Sequence, residues 1–425
     1  MGRYIAIAKK AGYYSIVFLK WTILSLISGC VVGGVSVLFS KAMTYATDFR
    51  TAHSVIIYFL PIAGLFIVFC YQMLKLKEDK GTNLVLTSLN AHDSVPVKVA
   101  PLIIVSTVLT HLFGGSAGRE GAALQLGGSL GNALGRLIRL DENDKKIMIM
   151  SGMSAAFAAL FGTPMAAALF PIEVATVGVM YYSALLPCIV ASLVAVHFAA
   201  NMGISPESFT ILEVPKESVI TYGKIGILAI GCALVSILLC VVLHDSAKIF
   251  KKLIKNPYIR VVIGAAIIIA LTTILRTRDY LGAGIPVIEH AMEGHVEPAA
   301  FIWKMVFTAI TLAVGFKGGE IVPTFFIGAT FGCVMGHMLD ISPSLCAAIG
   351  MSAMFCGVTN SPVTSLLISF ELFGFEGVPY FMIAIAISYV LSGYIGLYRE
   401  QIIAYSKYKV KTHVTEEKTE EEQES

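Results

Sequence analysis

The stretch GGSAGREGAALQLGGSLGNALGR, residues 114–136, wraps glycines around an ionisable pair, Arg119 and Glu120. In a water-exposed helix each interior glycine costs about 1 kcal/mol relative to alanine. Inside a bilayer the same spacing lets helices approach closely. A short helix opened by glycine also presents its first N–H groups to a cavity. The solvent around the pair therefore decides how the segment is read.

The composition answers that question. Of 425 residues, 56% are hydrophobic and 14% charged, against about 25% charged in a soluble domain. Long apolar runs recur at Ile16–Phe39, Val55–Met73, Val99–Phe113, Tyr182–Ala199, Ile225–Leu243, Val261–Leu275 and Phe381–Leu397. Several approach the roughly 20 residues that cross a bilayer core as a helix. The expected fold is an all-α, polytopic membrane protein. Charge collects between the runs, in KLKEDK (75–80), RLIRLDENDKK (136–146) and KIFKKLIKNPYIR (248–260). Lys9 and Lys10 near one end, and Lys407, Lys409 and Lys411 near the other, place both termini on the cytoplasmic side. Residues 406–425 read as a polar, acidic cytoplasmic tail, too charged and too poor in apolar residues to fold alone. The first fifteen residues lack a small-residue cleavage site, so no removable signal is read.

Other chemistries find little support. The cysteines are scattered singly through apolar segments, the histidines are dispersed, and no HExxH occurs; neither a metal site nor a cofactor is expected. GGSAG (114–118) formally fits the GxSxG nucleophile elbow. That elbow needs a strand before it, and here an apolar helix precedes Ser116. An intramembrane hydrolase would carry a GxSG serine with a partner histidine, HExxH or a GxGD aspartate, none of which is present. The chain is therefore read as a non-enzyme, with no nucleic-acid partner.

The chain also repeats itself. A shift of 201 residues lays GGEIVPTFFIGATFGCVMG (318–336) over AGREGAALQLGGSLGNALG (117–135), matching Gly118, Gly127, Gly131 and Gly135 to Gly319, Gly328, Gly332 and Gly336. The same shift carries Gly81 of GTNLV onto Gly282 of GAGIP, and a shift of 198 matches residues 152–173 to 350–371. Three blocks in one order near one offset predict two repeats, 1–210 and 211–405. Transporter repeats commonly pack as an inverted pair, with a site between them formed by broken helices. The segments after Gly81, Gly118, Gly282 and Gly319 read as those broken helices. For the later glycines of the GxxxGxxxG runs, helix packing is an equal alternative.

Such helix starts have a definite chemistry. Unpaired N–H groups and the positive ends of the peptide dipoles converge on one point and bind an anion without a full positive charge. Glu120 carries an anion of its own, able to fill the cradle when it is empty. Protonation neutralises the carboxylate and frees it to swing out as a transported anion enters. An ionisable side chain at membrane depth is a functional candidate by default; the alternative is a structural Arg119–Glu120 pair at a helix end.

At these residues, from about Ile16 to Tyr405, the sequence resembles the CLC family of anion channels and proton-coupled anion antiporters. GREGA (118–122) resembles the family's GREGP or GKEGP segment, which implies that Glu120 is the gating and proton-transfer glutamate and brings Gly118, Arg119, Gly121 and Ala122 to the anion path. GGEIVP (318–323) resembles the GGIFAP-type segment, whose amides, here of Ile321 and Val322, line the site. GLYREQI (396–402) resembles the tyrosine segment, with Tyr398 donating its hydroxyl to the central anion. GTNLV (81–85) takes the place of GSGIP, bringing Gly81, Thr82 and Asn83. The resemblance further implies an inverted-repeat fold of tilted helices and a homodimer with one pore per subunit.

Four departures matter. The serine of GSGIP is absent, GREGA lacks the usual proline, Glu173 is followed by Val174 rather than a second glutamate, and Glu320 stands where chloride-transporting members carry an aliphatic residue. They resemble the fluoride-exporting bacterial branch, which exchanges fluoride for protons. A small, strongly hydrated anion needs strong donors to replace its water, and Thr82 and Asn83 are candidates. Glu320 joins Glu120 as a proton-bearing candidate, with an ion pair to Lys317 or Arg119 as its structural alternative. The expected function is fluoride/proton antiport across a bacterial plasma membrane; the alternative is a chloride/proton exchanger or chloride channel of the same fold.

Overall fold

The structure, a computed structural model, describes residues 2–76, 81–90 and 95–408. Residues 77–80 of the KLKEDK cluster and 409–425 of the expected acidic tail lie outside the described residues. The first helices are α1 (Gly2–Ala52), α2 (Leu60–Met73), α3 (Thr82–Asn90) and α4 (Val99–Leu112). Next come α5 (Glu120–Leu137), α6 (Glu142–Phe161), α7 (Pro164–Val174) and α8 (Leu185–Asn201). The second half of the chain continues with α9 (Val219–Leu253), α10 (Pro257–Leu275), α11 (Ile285–Met292) and α12 (Ala300–Val314). It closes with α13 (Ile321–Leu339), α14 (Pro343–Thr359), α15 (Pro362–Phe373) and α16 (Val378–Leu391).

Among the described residues, six helical stretches are long and apolar enough to cross a membrane. Their outer faces carry large apolar side chains in the open, such as Leu234 and Ile227 on α9, as lipid-facing surface requires. Other helices are too short to cross. At 1.5 Å per residue, α3 with nine residues and α11 with eight span about 13 Å, well under the roughly 30 Å hydrocarbon core. Backbone broken at membrane depth survives only where protein or a cavity covers it.

α6 and α14 form the centre. Every residue from Met148 to Phe161, and from Ser344 to Thr359, is buried, which suits helices apolar on all faces. Their ends are set locally. Asp141 accepts the Asp144 N–H at 2.8 Å and Ser342 accepts that of Leu345 at 3.3 Å, each satisfying an orphan donor. Gly162 and Asn360 close the two helices in the left-handed conformation. α5 packs on α6 and α13 on α14 through the later glycines. A side chain on Gly127 or Gly131 would strike the carbonyls of Gly152 or Met148, and one on Gly328 or Gly332 those of Gly350 or Cys346. These glycines therefore serve close helix packing.

After α16 the chain turns back into the molecule. Two short strands, β1 (Thr176–Val177) and β2 (Ile402–Ile403), pair in parallel. The Leu397 N–H donates to the Val358 carbonyl at 2.8 Å, and Gln401 Nε2 donates to the carbonyls of Val174 and Thr359 at 2.8 and 2.9 Å. These bonds thread Tyr398 into the interior, where only 5% of it is exposed.

Candidate functional site

The starts of α5 and α13 meet head to head. Gly118 and Gly319 form an isolated antiparallel bridge, each N–H donating to the other's carbonyl at 2.7 Å. No side chain fits there: a Cβ on Gly118 would stand 2.7 Å from Glu120 Oε2, and one on Gly121 3.0 Å from the Gly319 Cα. The glycines thus let two helix starts touch, so that their dipoles converge. The first helical hydrogen bonds are Ala123 N–H to Arg119 and Thr324 N–H to Glu320. The amides of Gly121, Ala122, Ile321 and Val322 consequently lie outside the helical ladder. Ala122, Ile321 and Val322 are buried beside the bridge.

Glu120 is buried, with 1% of its surface exposed. Its Oε2 accepts the Arg119 backbone N–H at 2.9 Å, and its Oε1 lies 3.4 Å from Arg119 Nε. The Arg119 guanidinium also reaches Glu207 Oε1 at 2.8 Å and the Leu160 carbonyl at 3.2 Å. Both readings of the pair therefore meet here: Arg119 anchors the segment, and the Glu120 carboxylate lies on the helix start. Glu120 also lines a cavity of about 370 Å³, together with Val322, Phe325, Arg50 and the first residues of α11.

The third helix start, that of α3, also reaches Gly121. Gly81 has φ +60 and Gly282, its partner in the repeat, φ +61; both take the left-handed turn that glycine adopts without penalty. The Thr82 hydroxyl donates to the Gly121 carbonyl across a long 3.4 Å. Thr82 Oγ1 and Glu320 Oε2 each stand 3.1 Å from where a Gly121 side chain would begin. Asn83 is tied to the tyrosine segment, its Oδ1 accepting the Glu400 N–H at 3.3 Å. The Tyr398 hydroxyl is buried without a hydrogen-bond partner, and Glu320 is near enough to act on it electrostatically. A buried hydroxyl without a protein partner is free to donate to an anion or a water. The four quoted segments thus meet at one place.

Two groups, Glu207 and Glu371, escaped the sequence reading, and Glu173 was read there only for the residue that follows it. Glu207, in the loop after α8, pairs with Arg119, and it lies outside every repeated block. Glu173, at the end of α7, accepts the Val363 and Thr364 N–H groups at 2.9 and 2.8 Å and the Thr364 hydroxyl at 2.6 Å. Glu371, at the end of α15, accepts the Met165 and Ala166 N–H groups at 2.7 and 2.9 Å. Each glutamate caps the start of the other's helix, and their match at the 198-residue shift was the available signal. Ser116 is a packing residue, its Oγ 3.0 Å from Thr308 Oγ1 and its N–H donating to Thr311 Oγ1.

Comparison with known proteins agrees with this geometry. Residues 63–393 match the model of the family described as voltage-gated chloride channel. The chain belongs to the CLC family. A chloride/fluoride channel protein of Pseudomonas syringae pv. tomato is 35% identical over 92% of this chain and 88% of that protein. An H+/Cl− exchange transporter of Vibrio parahaemolyticus is 25% identical over 60% of this chain and 58% of its own. Among solved structures, a CLC-type fluoride/proton antiporter aligns with TM-score 0.88 and 32% identity, over 91% of this chain and 98% of that one. A slow cyanobacterial Cl−/H+ antiporter shares the fold at TM-score 0.76, 18% identical over 88% and 94% of the two chains. This CLC protein is therefore an integral membrane protein built of apolar, partly broken helices.

Proposed function

We propose that this CLC protein is a fluoride/proton antiporter, a transporter and not an enzyme, that uses inward proton flow to drive fluoride out across the bacterial plasma membrane. The observation that carries the reading is the Glu120 carboxylate, held on the N-terminus of α5 beside the start of α13. An anion bound there by dipoles and amides leaves when a mobile anion replaces it. Charged, Glu120 plugs the path; protonated, it withdraws, and the incoming anion takes the amides of Gly121, Ala122, Ile321 and Val322. Gly118 and Gly81 keep the backbone close, Arg119 holds the α5 start, and Tyr398 donates its orphaned hydroxyl from the other side. Thr82 and Asn83 supply polar contacts where fluoride gives up its hydration, and Glu320 carries a second proton-exchanging carboxylate on the Tyr398 side.

Glu173 favours fluoride exchange over chloride exchange by the usual route. Its carboxylate is engaged by three donors at the start of α15, and Val174 follows it, so the inner carboxylate pair of chloride exchangers has no counterpart. The similarity at 32% identity to a structure titled as a fluoride/proton antiporter supports the same choice. We read residues 1–210 and 211–405 as the two inverted halves, supported by the antiparallel Gly118–Gly319 bridge and the paired backbone of Gly81 and Gly282. The chain works as a homodimer with one pore per subunit and both termini, including the tail from residue 406, in the cytoplasm.

Purified protein in liposomes tests the anion. Loaded with equal fluoride or chloride and given an imposed pH gradient, the vesicles should release fluoride at least tenfold faster. Chloride release at the same rate or faster would overturn the fluoride assignment.

A further inference from the structure

The motif GAGIP (282–286) has no role in the cycle above, although Gly282 repeats the backbone of Gly81. It opens α11, whose first residues face the cavity that Glu120 lines and Tyr398 does not. Two basic side chains stand at this turn, Arg50 lining the cavity and Lys304 behind it. The Arg50 guanidinium lies where a side chain on Gly282 would begin, and its Nη1 donates to the His111 carbonyl at 2.7 Å. Lys304, fully buried on α12, donates to the carbonyls of Gly282 at 2.6 Å and Tyr280 at 3.3 Å. Among the described residues neither cation has a carboxylate within 4.0 Å. Arg50 is half-buried and lines the cavity, so its charge is open to a ligand there, and charge in low-dielectric surroundings is normally compensated.

The acids of the same cavity do not supply the missing charge. Glu120 and Glu207 are committed to Arg119, while Asp48 and Asp279 are exposed at its rim. The His111 ring, 1% exposed, also lines the cavity. Its Nδ1 contacts the Thr107 carbonyl at 3.0 Å, and its Nε2 has no hydrogen bond of ordinary geometry, with only the Ala117 backbone nearby. A glycine-opened helix start, the Arg50 guanidinium and a buried ring nitrogen without a hydrogen bond of ordinary geometry thus converge on one wall.

We propose that the start of α11, with Arg50 and His111 beside it and Lys304 behind it, binds a halide-sized monovalent anion, giving the transported ion a staging site on the outer side of Glu120. The staging role rests on the transport reading above, whereas binding at this place requires no proton coupling. The backbone of Gly284 and Ile285 faces the anion, Arg50 provides the charge-assisted contact, and Lys304 fixes the turn through its carbonyls.

Two readouts on the full-length protein test this. Crystals of the unmodified chain soaked in bromide should show an anomalous peak within hydrogen-bonding distance of the Ile285 N–H; a map without that peak overturns the proposal. In liposomes, Arg50→Gln should raise the half-saturating fluoride concentration on the outer face roughly tenfold, the scale of one lost charge-assisted contact, and leave the inner-face value unchanged. Arg50→Lys should restore most of the difference, and equal shifts on both faces would refute a sided site. If Arg50→Gln does not fold, Ala283→Asp, which places a carboxylate in the turn, should displace bromide from α11 and leave any bromide at Tyr398; persistence of the α11 peak would overturn the proposal. The bromide map is read without transport, so failed proton coupling with a peak at Ile285 would refute antiport and leave this site standing.

Discussion

At the start of α5 the carboxylate is the first helical residue, Glu120; at the start of α13 it stands one position earlier, as Glu320, in register with Arg119. The two starts otherwise match: glycine at the bridge, first amides outside the ladder, and a glycine-lined helix packed on a largely buried partner. That single-residue offset sends the two carboxylates to different places. Glu120 folds back onto its own helix start and lines the cavity shared with α11, while Glu320 reaches across Gly121 toward Thr82. Repetition builds the cradle, and the departure from repetition loads it with chemistry.

If the two halves are equivalent in packing, equivalent glycines should fail alike. Gly131→Leu and Gly332→Leu each drive a side chain into a neighbouring carbonyl, well beyond the about 1–3 kcal/mol of ordinary overpacking. Both variants should lose the monodisperse peak in size-exclusion chromatography. A variant that elutes as wild type would break the packing account for its half.

The glutamate caps sharpen the comparison on a smaller scale. Glu173 is buried and holds three donors, whereas Glu371 is half-buried and holds two. Charge-assisted bonds to a helix start weaken with solvent exposure. Glu173→Gln should destabilise the protein by about 2 kcal/mol and Glu371→Gln by about 1 kcal/mol, read as shifts in unfolding midpoint in detergent. Equal or reversed losses would mean that the two caps are not graded by burial.

Much of this arrangement is legible in the sequence because it is periodic or glycine-marked. GREGA and GGEIVP announce the two helix starts, and the 201-residue shift predicts that Gly81 and Gly282 share a backbone, as they do. The shift of 198 puts Glu173 opposite Glu371 but does not say what each one holds, since their partners are backbone amides about 190 and 205 residues away. Glu207 was not legible at all: it sits in an aperiodic loop, and only the fold brings it to Arg119. Arg50 and Lys304 were equally hidden, as lone charges at the end of one apolar helix and inside another.

The most direct test of the central claim is proton pumping driven by an outward fluoride gradient in liposomes, wild type against Glu120→Gln. Wild-type vesicles should move protons inward against a pH gradient as fluoride leaves. Glu120→Gln should abolish that uphill proton movement, because the amide cannot carry the proton. Uphill proton flux in Glu120→Gln equal to that of wild type would contradict the account.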